Sequence, residues 1–147
     1  MTEARTAAAR PIGPLHWLAL LRDLVARYAM GFMLLWLAGL VALAPLSLLP
    51  GTAPPTGVWE VELSLDKVFH VIAYGGLAGI PMLALASRRA RTAGIGVALL
   101  AALAYEIGQS YVPGRSFGYD DLLANLGGVA LGVVLGAWIR RLPGGTG

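Results

Sequence analysis

Side chains that can transfer protons or bind polar groups stand inside long apolar stretches of this sequence. Asp66, His70 and Tyr74 recur at every fourth residue, so at about 100° per residue they occupy one stripe, about 80° wide, of a helix. Lys67 lies directly beside that stripe. An imidazole next to a carboxylate can act as a general base or as a hydrogen-bonding group near neutral pH. This stripe is therefore the first candidate site.

Two later apolar stretches carry polar groups in a similar way. Glu106 and Gln109 are three residues apart and are therefore neighbours on a helix surface. Asp121 and Asn125 are four residues apart and share a helix face. Counted inward from the predicted outer helix ends at about 1.5 Å per residue, His70, Glu106 and Asn125 lie about 6 to 9 Å deep. We therefore expect three helices to offer polar groups to one shallow layer.

Positive charge is available at the same level. Arg115 lies in the short loop before the last apolar stretch, and its planar guanidinium can bind a phosphate or a carboxylate through two hydrogen bonds. Lys67 can supply a second positive charge, although a lysine in this position can also simply extend to the membrane interface. The predicted layer therefore combines cations with carboxylates and amides, which suits an anionic molecule that also carries hydroxyl or amide groups.

Several of these residues also have purely structural explanations. Asp66 and Asp121 can cap helix N-termini, where carboxylates are favoured. His70 by itself can be a hydrogen-bonded structural histidine, and Tyr74 can be an interfacial aromatic residue. Glu106 is harder to explain in this way, because a carboxylate within an apolar helix must be protonated or matched by a partner. Its candidate partners are His70, Lys67, Gln109 and Arg115.

Composition indicates that these stretches lie in a membrane. Of the 147 residues, 57% are hydrophobic and 13% are charged, and the mean hydropathy is +0.71. A soluble domain carries about 25% charged residues, so this chain lacks the charge to cover a water-facing surface. The absence of cysteine excludes a disulfide scaffold and thiol chemistry. The composition thus excludes a soluble globular enzyme and a disordered protein.

The hydrocarbon layer of a bilayer, about 30 Å thick, requires about 20 largely apolar residues for each helical crossing. Four stretches meet this requirement, at residues 28–49, 68–86, 92–112 and 122–139. Pro50 opens a predicted loop that runs to about Leu65, and Ser87 to Arg91 predict a tight basic turn. We therefore expect an all-α fold, an integral membrane four-helix bundle over residues 28–141.

The segments that flank this bundle differ from it in composition. Residues 1–27 form a predicted cytoplasmic segment, in which residues 14–26 can lie along the membrane interface as an amphipathic helix. The alternative is a frayed cytosolic segment. Residues 142–147 are rich in glycine and predict a flexible tail.

Arginines predict the orientation in the membrane, because basic residues are retained on the cytoplasmic side. Nine of them fall on one face if both termini are cytoplasmic: Arg5, Arg10, Arg22, Arg27, Arg88, Arg89, Arg91, Arg140 and Arg141. They flank apolar segments and form no patch, so despite a pI of about 9.7 no nucleic-acid partner is expected. The predicted polar layer then faces outward.

A repeated glycine spacing predicts close packing of the last helix. Gly128, Gly132 and Gly136 follow one another at intervals of four, and small residues at that spacing let two helix backbones approach closely. These glycines share a face with Asp121 and Asn125. The face that packs is therefore also the face that carries the polar groups.

A second glycine pair stands on the helix that carries the first polar stripe. Gly75 and Gly79 lie on the opposite side of that helix from Asp66 and His70. We therefore expect this pair to receive the first spanning helix.

The order and spacing of the polar residues are those of a known family. The motifs are Asp66-Lys67-Val-Phe-His70 at the start of a helix, then Glu106-x-x-Gln109, Arg115, and Asp121-x-x-x-Asn125-x-x-Gly128. From Leu65 to Gly136 the chain resembles the VanZ-like family of small bacterial membrane proteins, named for a teicoplanin-resistance factor. The resemblance implies a multi-spanning protein of the bacterial cytoplasmic membrane that acts at the outer leaflet. An acidic residue often found in that family shortly after the loop arginine is replaced here by Gly118.

The favoured function is recognition of an anionic, lipid-linked cell-envelope molecule, such as a cell-wall precursor or a glycolipid. If this molecule is a peptidoglycan precursor, its occupation would lower glycopeptide binding without destroying the drug. Arg115 would bind its anionic group, and the carboxylates and amides would bind its sugar or peptide groups. The candidate binding residues are Asp66, Lys67, His70, Tyr74, Glu106, Gln109, Arg115, Asp121 and Asn125.

Two further functions stay open. An intramembrane enzyme acting on the same substrate class would use His70 as a base, with Glu106 or Asp121 orienting it and Arg115 stabilising transferred charge. A small proton-coupled carrier would need a polar path that continues to the cytoplasmic side. No cofactor is expected, and no dedicated metal-binding loop spacing is present, although a divalent ion could bridge the outer carboxylates. The expected partners are membrane lipids, and the sequence specifies no oligomeric state.

Overall fold

The computed structural model describes residues 13–48, 59–113 and 117–143, which form five helices and, within these ranges, no strand. The helices are α1 (Pro14–Arg27), α2 (Ala29–Leu48), α3 (Trp59–Ala84), α4 (Arg88–Gln109) and α5 (Tyr119–Arg140). The described part of the chain is therefore all-helical, as the composition and hydropathy of the sequence predict.

Four of the five helices are long and apolar enough to cross a membrane: α2, α4, α5 and the Leu65–Ala84 part of α3. These four correspond to the four predicted spans. The predicted loop up to Leu65 is wrong over its last residues, because α3 already begins at Trp59. The helix extends beyond its apolar part, and hydropathy detects only the apolar part. The first residues of α3 were therefore predicted as loop.

The predicted basic turn is also shorter than expected. Ser87 caps the N-terminus of α4, and its hydroxyl accepts a hydrogen bond from the Ala90 backbone N–H at 3.0 Å. Arg88 to Arg91 therefore form the first turn of the helix, because a serine at this position satisfies a backbone donor that a helix start leaves free. Only three residues separate α3 from α4, so the two helices are antiparallel neighbours.

The closest helix contact joins α3 and α5. A Cβ atom added at Gly128 would lie 2.6 Å from the Val71 carbonyl oxygen, and one at Gly132 would overlap the Gly75 carbonyl oxygen. A Cβ atom at Gly136 would lie 2.8 Å from the Met82 Cβ atom. The three glycines thus let α5 approach the backbone of α3.

The expected partner of Gly75 and Gly79 is wrong. Both residues face α5, where a Cβ atom added to either would lie within 4 Å of backbone atoms of Gly128 or Gly132. The reason is that these glycines continue the four-residue row of Lys67 and Val71, which faces α5. His70 lies one position away from that row and reaches α5 through its longer side chain.

Two side-chain hydrogen bonds fasten α2 to the rest of the bundle. The indole N–H of Trp36 donates to the Leu77 carbonyl oxygen at 2.7 Å, and the Tyr105 hydroxyl donates to the Leu40 carbonyl oxygen at 2.7 Å. Trp36, Leu40 and Leu77 are also part of the buried core. The core thus lies between α2, α3 and α4, with Val129 contributed by α5.

The segment predicted to form an amphipathic helix is helical, as α1. Its Ala19 and Val25 are buried, and the Arg22 guanidinium donates to the Leu142 carbonyl oxygen just beyond α5. The opposite face exposes apolar side chains, among them Trp17 and Leu21. An exposed apolar face of this kind fits a helix at a membrane interface, and that location stays a prediction.

Candidate functional site

Lys67 is the centre of an ion cluster between the N-terminal half of α3 and the N-terminal end of α5. Its ammonium Nζ donates to an Asp121 carboxylate oxygen, and it lies 2.9 Å from Asp120 Oδ2 and 3.5 Å from Asp66 Oδ2. Three carboxylates thus surround one ammonium, and the cluster carries a formal excess of negative charge. The two helices are thus joined by charge at the end of their contact that precedes the glycines.

His70 lies next to this cluster and is held by α5. Its Nδ1 is 2.7 Å from the Asn125 Oδ1, and Asn125 is almost completely buried. Its Nε2 is 3.6 Å from Asp66 Oδ1 and 3.9 Å from Asp121 Oδ1. The contact with Asn125 thus orients the ring so that Nε2 faces the two carboxylates.

Glu106 binds a partner that the sequence did not indicate. Its Oε1 accepts a hydrogen bond from the Gly118 backbone N–H at 2.7 Å, and its side chain is 1% exposed. A Cβ atom at Gly118 would lie 2.8 Å from Asp121 Oδ2 and 3.0 Å from Asp120 Oδ1, so the carboxylates of α5 occupy the space next to this glycine. Glu106 thus fixes the residue from which α5 begins.

A cavity of about 340 Å³, which we call the polar pocket, opens between α2 and α3 near the ion cluster. It is lined by Leu43, Leu46, Ser47, Asp66, Phe69, His70, Ala73, Tyr74 and Gln109. Tyr74 and Gln109 are nearly buried, and Asp66 is exposed. A carboxylate, an imidazole and an amide thus share one wall, opposite the apolar side chains of α2.

The predicted site residues divide into two groups in the structure. Those that line the polar pocket are Asp66, His70, Tyr74 and Gln109. Those that lie behind this wall and bind other protein groups are Lys67, Glu106, Asp121 and Asn125. The second group positions the first, because it fixes the His70 ring and the relative placement of α3 and α5. Arg115 lies outside the described residues.

The wall contributed by α2 was missed at the level of sequence. Leu43, Leu46 and Ser47 belong to a helix with no charged residue. A prediction based on charged and amide side chains therefore did not include this helix. The Ser47 hydroxyl was the one available signal near the end of that helix. Four helices therefore build the site, where three were expected.

The spacing of some ligand atoms would also suit a metal ion. Within the described parts of the chain, Asp66, His70 and Asp121 each offer one ligand atom, and these atoms lie within 4.8 Å of one another. The Lys67 ammonium binds Asp121 and lies beside Asp66, so a positive charge of the protein already compensates these carboxylates. Without a change at Lys67, a divalent cation would have to compete with this ammonium.

One protein-family model matches nearly the whole chain. The family model VanZ/LLP1 matches residues 15–140, which include all five helices except the first residue of α1. No curated protein and no solved structure shows significant similarity to the chain. The match covers the residues of the polar pocket and those of the ion cluster behind it.

Proposed function

The chain belongs to the VanZ/LLP1 family, and we propose that it recognises a lipid-linked molecule of the bacterial cell envelope through the polar pocket. The observation that carries this proposal is the wall of the pocket, where Asp66, His70 and Gln109 meet in a protein with four helices able to cross a membrane. Polar groups within spanning helices are costly, and they therefore indicate a binding site or a pathway.

The orientation of the pocket is part of the proposal. The arginines Arg88, Arg89 and Arg91 begin α4, and Arg140 ends α5, at the end of the bundle opposite to the pocket. Basic residues are retained in the cytoplasm, so this end and both termini would lie inside the cytoplasmic membrane. The polar pocket would then open at the outer leaflet, where lipid-linked precursors of the envelope are exposed.

The charges at the pocket wall and in the ion cluster behind it favour a headgroup that donates hydrogen bonds. Because the carboxylates around Lys67 exceed its single positive charge, this region attracts hydroxyl and amide donors more than a bare anion. Sugar and peptide headgroups offer such donors. A phosphate of the same molecule would be bound by Arg115, in the loop that connects α4 to α5.

A role in glycopeptide resistance of the teicoplanin type follows from this proposal. If the bound molecule is a peptidoglycan precursor, its peptide or sugar groups would be covered by the protein, and a glycopeptide would bind less of it. The drug itself would stay intact. Membership of a family named for a teicoplanin-resistance factor supports this role.

Identification of co-purified lipid tests the proposal. Native mass spectrometry of the detergent-extracted wild type is expected to show a lipid that carries a sugar or peptide headgroup. Gln109→Leu replaces the buried amide of the pocket wall with an apolar group of similar size, and we expect it to lose most of this lipid. The matched control is Ser110→Ala, since the Ser110 hydroxyl binds only its own helix carbonyl at Ile107, 2.6 Å away, among the bonds described. Ordinary phospholipid alone on the wild type would contradict the proposal.

A second function, an intramembrane enzyme acting on the same class of lipid, is favoured by the His70 geometry. A buried amide orients the ring, and His70 lines the pocket with its Nε2 beside a carboxylate, which is the arrangement of an oriented acid–base group. Under this alternative the wild type would change the mass of a lipid from bacterial membrane extract. His70→Ala would bind that lipid and leave it unchanged. Unaltered lipid after incubation with the wild type would exclude turnover of the lipids in that extract.

A further inference from the structure

A second, larger cavity lies beside the polar pocket and is almost entirely apolar. It has a volume of about 550 Å³ and runs between α2 and α3. Small residues form its floor: Ala38, Gly39 and Ala42 on α2, and Ala73 and Gly76 on α3. We call this cavity the α2–α3 groove. Because these residues have little or no side chain, they leave the space between the two helices open.

The groove adjoins the polar pocket. Leu43, Leu46 and Ala73 line both cavities. A molecule with its polar group in the pocket could therefore place an attached chain past these three side chains and along the groove. Polar groups stand at one end of this combined space, and hydrocarbon side chains line the rest.

The length of the groove matches one leaflet of a bilayer. On α2 it is lined from Leu35 to Leu46, and this interval spans about 16 Å along a helix at about 1.5 Å per residue. Half of a hydrocarbon layer about 30 Å thick is of the same size. A hydrocarbon chain anchored at the polar pocket would thus run the depth of a single leaflet.

We propose that the α2–α3 groove holds the hydrocarbon chain of the same lipid whose headgroup occupies the polar pocket. This inference rests on the proposed function, because it takes the pocket to be the headgroup site. The protein then recognises the lipid by its head and its chain together, and a free headgroup binds much more weakly than the intact lipid. Lipid tails are as apolar as the lining of the groove, so the contribution of the chain comes from its packing against the two helices.

Filling the groove from its floor tests this inference. A Cβ atom at Gly76 meets no atom within 4 Å, so Gly76→Leu can be accommodated while its side chain occupies the groove. Gly127→Leu is the matched control, because a Cβ atom at Gly127 also meets nothing within 4 Å and this residue lies on α5, away from the groove. Both substitutions replace a helical glycine, and their effects on helix propensity are the same.

Two probes distinguish binding through the hydrocarbon chain from binding through the headgroup. One is N-acetylglucosamine 1-phosphate with a prenyl chain esterified to its phosphate, and the other is the same sugar phosphate without the chain. Calorimetric titration of protein in phosphatidylcholine nanodiscs, with the heat of each probe entering empty nanodiscs subtracted, is expected to show tighter binding of the prenylated probe to the wild type. Gly76→Leu should weaken the binding of the prenylated probe about ten-fold, because the leucine side chain takes the space in which the chain packs against α2 and α3. The binding of the chain-free probe should not change, and Gly127→Leu should bind both probes as the wild type does.

The possible failures are distinguishable. If the wild type binds neither probe, the proposed function fails and this inference fails with it. If the wild type binds both probes with equal affinity, or if Gly76→Leu binds the prenylated probe as the wild type does, the groove holds only bulk lipid and this inference alone is overturned. An equal loss for both probes in Gly76→Leu would also overturn it, since the groove would then shape the headgroup site and not receive the chain.

Discussion

Helix α3 has two kinds of neighbour, and the difference between them explains where the site lies. On one side α5 meets α3 backbone to backbone, with Gly128 and Gly132 against Val71 and Gly75. On the other side α2 is held by the hydrogen bond of Trp36 to Leu77, and the α2–α3 groove remains between the helices. One contact is closed and the other is open.

The closed contact carries the charges, and the open contact carries the space for a ligand. Lys67 and His70 bind Asp121 and Asn125 across the α3–α5 contact, so their positions are fixed by two helices. A binding group is most effective when a second layer of interactions holds it in place. The polar pocket therefore lies on the boundary, with a wall supported by α5 and a mouth formed by the more loosely packed α2.

The largest loss of stability is expected from a substitution that forces α5 away from α3. In Gly132→Leu the new side chain would meet the Gly75 carbonyl of the α3 backbone, which has no room to move because α5 already touches it. We expect a loss of about 3 kcal/mol or more in the free energy of unfolding, measured in mixed detergent. Gly127→Leu, on the open face of α5, should stay within about 0.5 kcal/mol of the wild type. Equal stability of the two variants would contradict the close contact.

A smaller effect is expected from removing the charge that joins the same two helices. Lys67→Met leaves the carboxylates of Asp66, Asp120 and Asp121 without their shared ammonium. Because the cluster is partly exposed, we expect a loss of about 2 kcal/mol in the free energy of unfolding.

The control for this variant lies at the other end of the bundle. Arg91 donates to the Leu85 and Ala86 carbonyl oxygens at 3.1 and 2.6 Å, and Arg91→Met should cost less than about 1 kcal/mol. Its loss leaves only carbonyl groups near the end of a helix, where water can replace the arginine. If Arg91→Met proved the more destabilising of the two, the ion cluster would not be the bond between α3 and α5 that we describe.

The smallest effect is expected on the open side. Trp36→Phe keeps an aromatic ring and removes the hydrogen bond to the Leu77 carbonyl oxygen, and it should cost about 1 kcal/mol. The same change at the exposed Trp17 of α1 is the control and should have no measurable effect. If Trp36→Phe were as damaging as Gly132→Leu, α2 would be packed as firmly as α5, and the contrast between the two contacts would be wrong.

Sequence reasoning predicted the helices and the α3–α5 contact because both depend on repeating patterns. Four apolar stretches of sufficient length specify four possible crossings, and the four-residue spacing of Gly128, Gly132 and Gly136 specifies one packed face. The same spacing placed Asn125 on that face, next to His70. Periodicity is a property of the chain itself and can be read without knowing the fold.

Other features of the site depend on contacts that leave no mark in the sequence. Glu106 binds the backbone N–H of Gly118, a donor that every residue except proline provides. The α2 wall of the pocket consists of apolar residues such as Leu46, which look the same whether they face lipid or a cavity. The partner of Gly75 was misassigned because His70 reaches α5 only through its long side chain, while the helix face towards α5 is the row that contains Val71 and Gly75.

Photocrosslinking shows directly whether a lipid-linked molecule occupies the polar pocket. A prenyl-linked sugar phosphate with a photoreactive group on its sugar would be bound to the wild type and irradiated, and its adducts would be located by peptide mapping. We expect adducts on the pocket wall, at Leu46, Phe69 or Ala73, and their loss when unlabelled lipid is added in excess. Adducts concentrated on the far faces of α4 and α5, such as Leu100 or Val134, or adducts that unlabelled lipid does not displace, would contradict it.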